Sequence, residues 1–106
     1  MDRPLRLLIV EDAKDDADLL LFAVRRAGFA VSHQVVDTPP AMRAALERQD
    51  WDVITSDFSM PQFSAPAAMA LARELRPDVP FIIVSGETAV DCAASLINAM
   101  AAGALN

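Results

Sequence analysis

Four short apolar runs, residues 5–10, 29–36, 53–56 and 81–84, alternate with stretches of helical periodicity, and this alternation constrains the fold more than any other feature. Runs of four to eight residues bounded by glycine, proline or acids read as strands. A strand-helix order repeated in this way predicts an α/β fold, a parallel sheet whose crossovers are right-handed. All the strands of such a sheet end on one edge, and that edge is where ligands collect.

The connecting stretches carry their own start and stop signals. Residues 14–27 place Ala17, Leu20, Leu21 and Val24 on one face, with Asp15, Asp16 and Asp18 at the start, Arg25 and Arg26 at the end and Gly28 as the stop. Those charges complement a helix dipole, which makes the three acids surface residues by default. The second strand alternates through Val31, His33 and Val35. Thr38 followed by Pro39 predicts a capped helix to about Arg48, and Ser64 caps a third whose Ala68, Leu71, Ala72 and Leu75 share a face. Thr88 and Asp91, with Val90, Ala94, Ile97 and Ala101, predict a fourth helix that stops at Gly103.

Composition narrows the function classes. A chain of 106 residues with 54% hydrophobic content is one domain, and a net charge of −6 without a basic cluster argues against nucleic-acid binding. Cys92 is the lone cysteine and His33 the lone histidine, so neither an internal disulfide nor a Cys/His zinc site is expected. His33 reads as a surface or half-buried strand residue, and Cys92, Met42, Met69 and Met100 as packing residues. No run reaches membrane-spanning length, and the expected location is cytoplasmic. Trp51 is expected to pack ahead of the third strand and, lying six residues before Asp57, to report on that acid by fluorescence.

The strand ends carry the chemistry. Glu11-Asp12 follows the first run, Asp57 the third and Ser85-Gly86 the fourth, so one crevice receives all of them if strands one and three are neighbours. Carboxylates so close repel unless one holds a proton or a cation sits between them. Oxygen ligands without His or Cys suit Mg²⁺. Beside such an ion, Asp57 has the character of a nucleophile toward phosphorus, with the Ser85 hydroxyl placed for the transferred phosphoryl oxygens.

In this order, Glu11-Asp12, then Asp57 followed by Met60-Pro61, then Val84-Ser85-Gly86, the chain resembles the response-regulator receiver domain of two-component signalling over nearly its whole length. The resemblance implies a flavodoxin-like sheet of order 2-1-3-4 and a single receiver domain over residues 1–106. It also implies that Asp57 accepts a phosphoryl group from a phosphohistidine on a histidine kinase or phosphotransfer protein. By the same resemblance Glu11, Asp12, Asp57 and the backbone carbonyl of Ser59 hold Mg²⁺, with Asp12 rather than Glu11 as the direct acidic-pair ligand, and Ser85 and Gly86 contact the phosphoryl group. Such a module changes partner binding and catalyses only its own phosphorylation and dephosphorylation.

Two departures bear on that reading. Glu11 stands where the family usually has Asp, a longer arm that suits a ligand acting through water. The family also continues into a fifth strand and helix, with a lysine and a switch aromatic, that residues 1–106 do not match. The receiver is therefore expected to be C-terminally incomplete, with strand four as an open edge prone to self-association. The alternatives are an unphosphorylated pseudo-receiver and a phosphatase of the haloacid dehalogenase type. The latter wants a second Asp two residues after the nucleophile, where this chain has Ser59.

Overall fold

The structure, a computed structural model, describes residues 3–58, 60–84, 95 and 97. Its elements are β1 (Arg3–Val10), α1 (Lys14–Arg26), β2 (Phe29–Val36), α2 (Pro39–Arg48), β3 (Val53–Asp57), α3 (Ala65–Leu75) and β4 (Phe81–Val84). The strands pair in parallel in the order β2-β1-β3-β4, as expected for a flavodoxin-like sheet. The predicted fourth helix lies outside the described residues except for Ser95 and Ile97, both helical, of which Ile97 is buried against the α1 side of the sheet.

Alternation along β1 divides the interior into two layers. Leu5, Leu7 and Ile9 point to the side covered by α1, together with Phe29 and Val53. Leu8 and Val10 point to the other side, where Val36, Ile54, Met42, Leu46 and Phe63 pack with α2 and α3. A strand buried on both faces must be apolar at every position, which is why residues 7–10 show no alternation of their own. β1 begins at Arg3, two residues before the predicted start. The Arg3 N–H bonds Gly28 O at 3.1 Å, and its guanidinium stacks 4.2 Å above the Phe29 ring and donates to Ala27 O. Pro4 costs no ladder bond, because it sits below the level at which β3 begins to pair, at Leu7 opposite Val53.

The capping signals at Thr38 and Ser64 hold, and that at Thr88 lies outside the described residues. Thr38 and Ser64 accept from Ala41 N and Ala67 N, each at 3.2 Å. Gly28, at φ 102°, ends α1 in a conformation that a side chain would strain. Only Asp15 and Asp16 belong to the first turn, one acid fewer than the sequence suggests.

One expectation holds and one needs correcting. His33 is exposed, as the sequence reading has it, and Val35 is exposed as well, because α1 covers only the first half of this outer strand. Trp51 is buried, its Nε1 donating to Ala45 O at 2.9 Å, as packing ahead of β3 requires. It stands, however, before the first residue of β3 whereas Asp57 is the last, so the rise of an extended strand separates them by roughly 20 Å. Trp51 is thus a reporter of the α2 packing and not of the acid.

Two polar contacts that sequence reading missed brace the far end of the sheet. Asp52 accepts from the Arg6 backbone N–H at 2.7 Å and from its guanidinium at 2.9 Å, and that hydrogen bonding holds the Asp52 carboxyl below its usual range. Arg76 Nε donates to Leu46 O at 2.9 Å, so a side chain just after α3 satisfies a carbonyl in the last turn of α2.

Candidate functional site

Strand register builds the site. Val10 pairs with Ser56, so the residues that follow, Glu11 and Asp57, leave the sheet side by side. The Glu11 N–H bonds Val36 O at 2.9 Å and the Phe58 N–H bonds Val84 O at 3.1 Å, which fixes the chain on both sides of the pair. Carboxylate oxygens of Glu11, Asp12 and Asp57 lie within 4.8 Å of one another. Glu11 and Asp57 are half-buried and Asp12 is exposed.

The Glu11 carboxylate turns back over its own loop and accepts from Asp12 N at 3.1 Å and Ala13 N at 3.2 Å. Those amides favour its charged form, yet burial, the adjoining Asp57 and the charge of Asp16 outweigh them, and its pKa is pushed up to about 7. Near neutral pH the Glu11 carboxyl therefore holds part of a proton. Hard oxygen donors crowded in this way fit a divalent cation of the Mg²⁺ type, which would favour the ionised carboxylate.

Beneath the acids, a cavity of about 210 Å³ opens between α1 and the sheet. Glu11, Asp16, Leu19, Leu20, Thr55 and Asp57 are among its walls. Asp16 is the surface acid that sequence reading made it, yet it also lines this cavity and its charge bears on Glu11. The signal was its helical phase: it precedes Ala17 and lies one turn before Leu20, both buried, so it flanks the stripe that faces the sheet. Asp15, Asp16 and Asp18 are all exposed, as expected. Ser59, Ser85 and Gly86 lie outside the described residues.

Thr55, two residues before Asp57, is 1% exposed, and its hydroxyl has no hydrogen-bond partner among the described residues. A buried orphan hydroxyl costs free energy that an isosteric methyl does not. Thr55→Val is expected to stabilise the chain by about 1 kcal/mol, read as a higher denaturant midpoint at unchanged slope. A midpoint that falls would mean that the hydroxyl has a partner after all.

A parallel sheet of order 2-1-3-4 with a carboxylate cluster at the ends of β1 and β3 defines a receiver-type α/β module. The chain belongs to the response regulator receiver domain family, whose family model matches residues 7–106. Among curated relatives, the transcriptional regulatory protein PrrA of Mycobacterium tuberculosis is 33% identical over 86 residues, 81% of this chain and 36% of PrrA. This chain thus corresponds to about a third of the length of that relative.

Solved structures agree on the fold. The receiver domain of sensor histidine kinase PA1611 from Pseudomonas aeruginosa superposes with a TM-score of 0.64 at 23% identity, covering 76% of this chain and 66% of that one. That structure contains a magnesium ion coordinated in its active site cleft. A receiver domain protein from Bacillus halodurans gives a TM-score of 0.66 at 14% identity, covering 90% of this chain and 97% of that one.

Proposed function

We propose that this chain is a phosphoacceptor signalling module in which Asp57 takes a phosphoryl group from a phosphohistidine donor with Mg²⁺ present. The observation that carries this reading is the convergence of Glu11, Asp12 and Asp57 at the ends of β1 and β3, in a chain of the receiver family. Glu11, Asp12, Asp57 and the Ser59 carbonyl would hold the ion, as the magnesium in the PA1611 receiver domain suggests. When bound, Mg²⁺ supplies the positive charge that lets three carboxylates and a phosphoryl group share one crevice.

The residues themselves do the rest. A carboxylate oxygen of Asp57 attacks phosphorus in line; the new O–P bond forms as the donor's N–P bond breaks, and the imidazole leaves with that electron pair and takes up a proton. Ser85 and Gly86 would turn a hydroxyl and an N–H toward the phosphoryl oxygens. Glu11, once its proton has passed to solvent, would offer a carboxylate to the ion. Water later cleaves the acyl phosphate, so the module catalyses only its own phosphorylation and dephosphorylation. The partners are then a histidine kinase or phosphotransfer protein in the cytoplasm, and residues 1–106 form one receiver unit.

The test is the intact mass of the chain after incubation with acetyl phosphate. The expected result is a gain of one phosphoryl group with Mg²⁺ and none when the ion is chelated. An unchanged mass with Mg²⁺ present would overturn the proposal in favour of an unphosphorylated interaction domain.

A further inference from the structure

β1 pairs with β2 along all eight residues, and the other side of β2 meets no strand among the described residues. Two bonds fix the direction in which the β2 backbone points: Arg3 N–H to Gly28 O at 3.1 Å and Glu11 N–H to Val36 O at 2.9 Å. Gly28 and Val36 thus face β1. Since successive residues of a strand face opposite ways, Ala30, Ser32 and Gln34 face β1 too, and Phe29, Val31, His33 and Val35 hold their N–H and C=O groups outward.

Sheet edges are usually defended by charged side chains, proline or a bulge. β2, FAVSHQVV, has no Asp, Glu, Lys, Arg or Pro, and its register with β1 is unbroken. The edge is also complementary to itself. In an antiparallel pair of β2 strands centred on Ser32, Val31 stands opposite His33 and Phe29 opposite Val35, so all four outward residues exchange both backbone bonds with their opposites. Residues directly opposite must share a face of the sheet, and these four lie on the α1 side, where Phe29 and Val31 pack.

The flanking helix fits the same symmetry. Near its start α1 carries Asp15 and Asp18, and in its last turn Arg25 and Arg26, Asp16 belonging to the cavity flank instead. A two-fold axis reverses α1 relative to its copy, so the acidic end of each lies beside the basic end of the other. With strands about 4.8 Å apart and α1 packed over β1 and β2, the two helices come within roughly 10–14 Å, a packing distance. Asp16 and Leu19 flank the buried stripe of α1 toward the cavity, which places Asp18, Phe22 and Arg25 on the β2 flank. Phe22 is 63% exposed and Val35 42%, leaving apolar surface in water on this side of the molecule.

We propose that the chain self-associates as a two-fold dimer through antiparallel pairing of the β2 edges. The occupant is a second copy because both the bond register and the α1 charges are complementary to themselves. This contact is distinct from the β4 edge that the sequence singled out, and it does not rest on the phosphoacceptor reading. The acid clusters of the two copies point in opposite directions along the joined sheet and stay open.

The test is light scattering on the whole chain together with cysteine trapping. The chain is expected to be a dimer that Val35→Lys or His33→Pro converts to monomer. His33→Pro removes only an outward N–H and no bond to β1. Ile83→Lys, on β4, is expected to leave the dimer intact. Ser32→Cys in a Cys92→Ser background, which puts a thiol on the axis at a close non-hydrogen-bonded pair, is expected to cross-link under mild oxidation, and Ala30→Cys is not. A monomeric wild-type chain, a dimer lost in Ile83→Lys alone, or equal cross-linking from positions 30 and 32 would each overturn the proposal.

Discussion

Asp57→Asn is expected to abolish phosphoryl incorporation from acetyl phosphate altogether, while the chain stays folded. The side chain is nearly isosteric, and Asp57 stands at the end of β3 as a half-buried residue, so the core is untouched. What disappears is the nucleophile, since an amide oxygen has neither the charge nor the basicity to displace the donor's leaving group. The same change removes one of the charges that push the Glu11 carboxyl up, so Glu11 ionises more readily in the variant. The loss is therefore not a secondary effect of a collapsed acid cluster. Intact-mass analysis of the two proteins side by side is the check. A phosphoryl group still gained by the variant would place the acceptor elsewhere.

Glu11→Gln is expected to change how stability responds to pH. The Glu11 carboxyl sits near 4.5 when unfolded and about 7 when folded, raised chiefly by burial. Between those values the native chain holds a proton that the unfolded chain has released, so stability falls as pH rises through that window. The substituted amide cannot ionise, and the slope contributed by this site should vanish. At neutral pH and above, the variant should be more stable by about 1–2 kcal/mol, a figure already reduced for the partial exposure of the carboxyl. Denaturant unfolding below and above the window, without divalent ions, measures the difference. An identical pH slope in both proteins would show that Glu11 is not the titrating group. With Mg²⁺ present the two should behave differently again, because the ion rewards an ionised carboxylate that the variant lacks.

The parts of the fold that were legible in the sequence are those set by local chemistry. Thr38 and Ser64 announced their helices because a side-chain oxygen at that position captures a backbone N–H regardless of what packs nearby. Gly28 announced the end of α1 because few other residues accept its backbone angle. β1 and β3 announced themselves because a strand covered on both faces carries a run of apolar residues, Leu7 to Val10 in one and Val53-Ile54 in the other. β2 was legible as a strand but not in its burial: its alternation continues past the reach of α1, and a valine in water at position 35 looks the same in sequence as one in a core.

The candidate site divides in the same way. Glu11, Asp12 and Asp57 could be picked out because each ends or follows an apolar run, and a parallel sheet collects such ends. The place of the exposed Asp16 at the cavity wall could not, because an acid in a first helical turn is sufficiently explained by the dipole until the helix is rotated onto its sheet. Thr55 was hidden inside a strand where its β-branched shape is ordinary. Trp51 misled because separation in sequence is small along a strand whereas separation in space is large.

The sequence by itself determined that this is a parallel α/β chain, that its acids fall on one edge and that its family is that of receiver domains. Periodicity, caps and strand ends are properties of short segments, which the backbone reads without knowing the whole. Only the tertiary structure decided that Val10 stands beside Ser56, so that Glu11 and Asp57 become neighbours, and that the exposed Asp16 stands at the wall of the cavity beside them. It alone showed the outward groups of β2 to be an undefended edge. Register and helix rotation are set by how two layers pack against a common sheet, and no single segment contains that information.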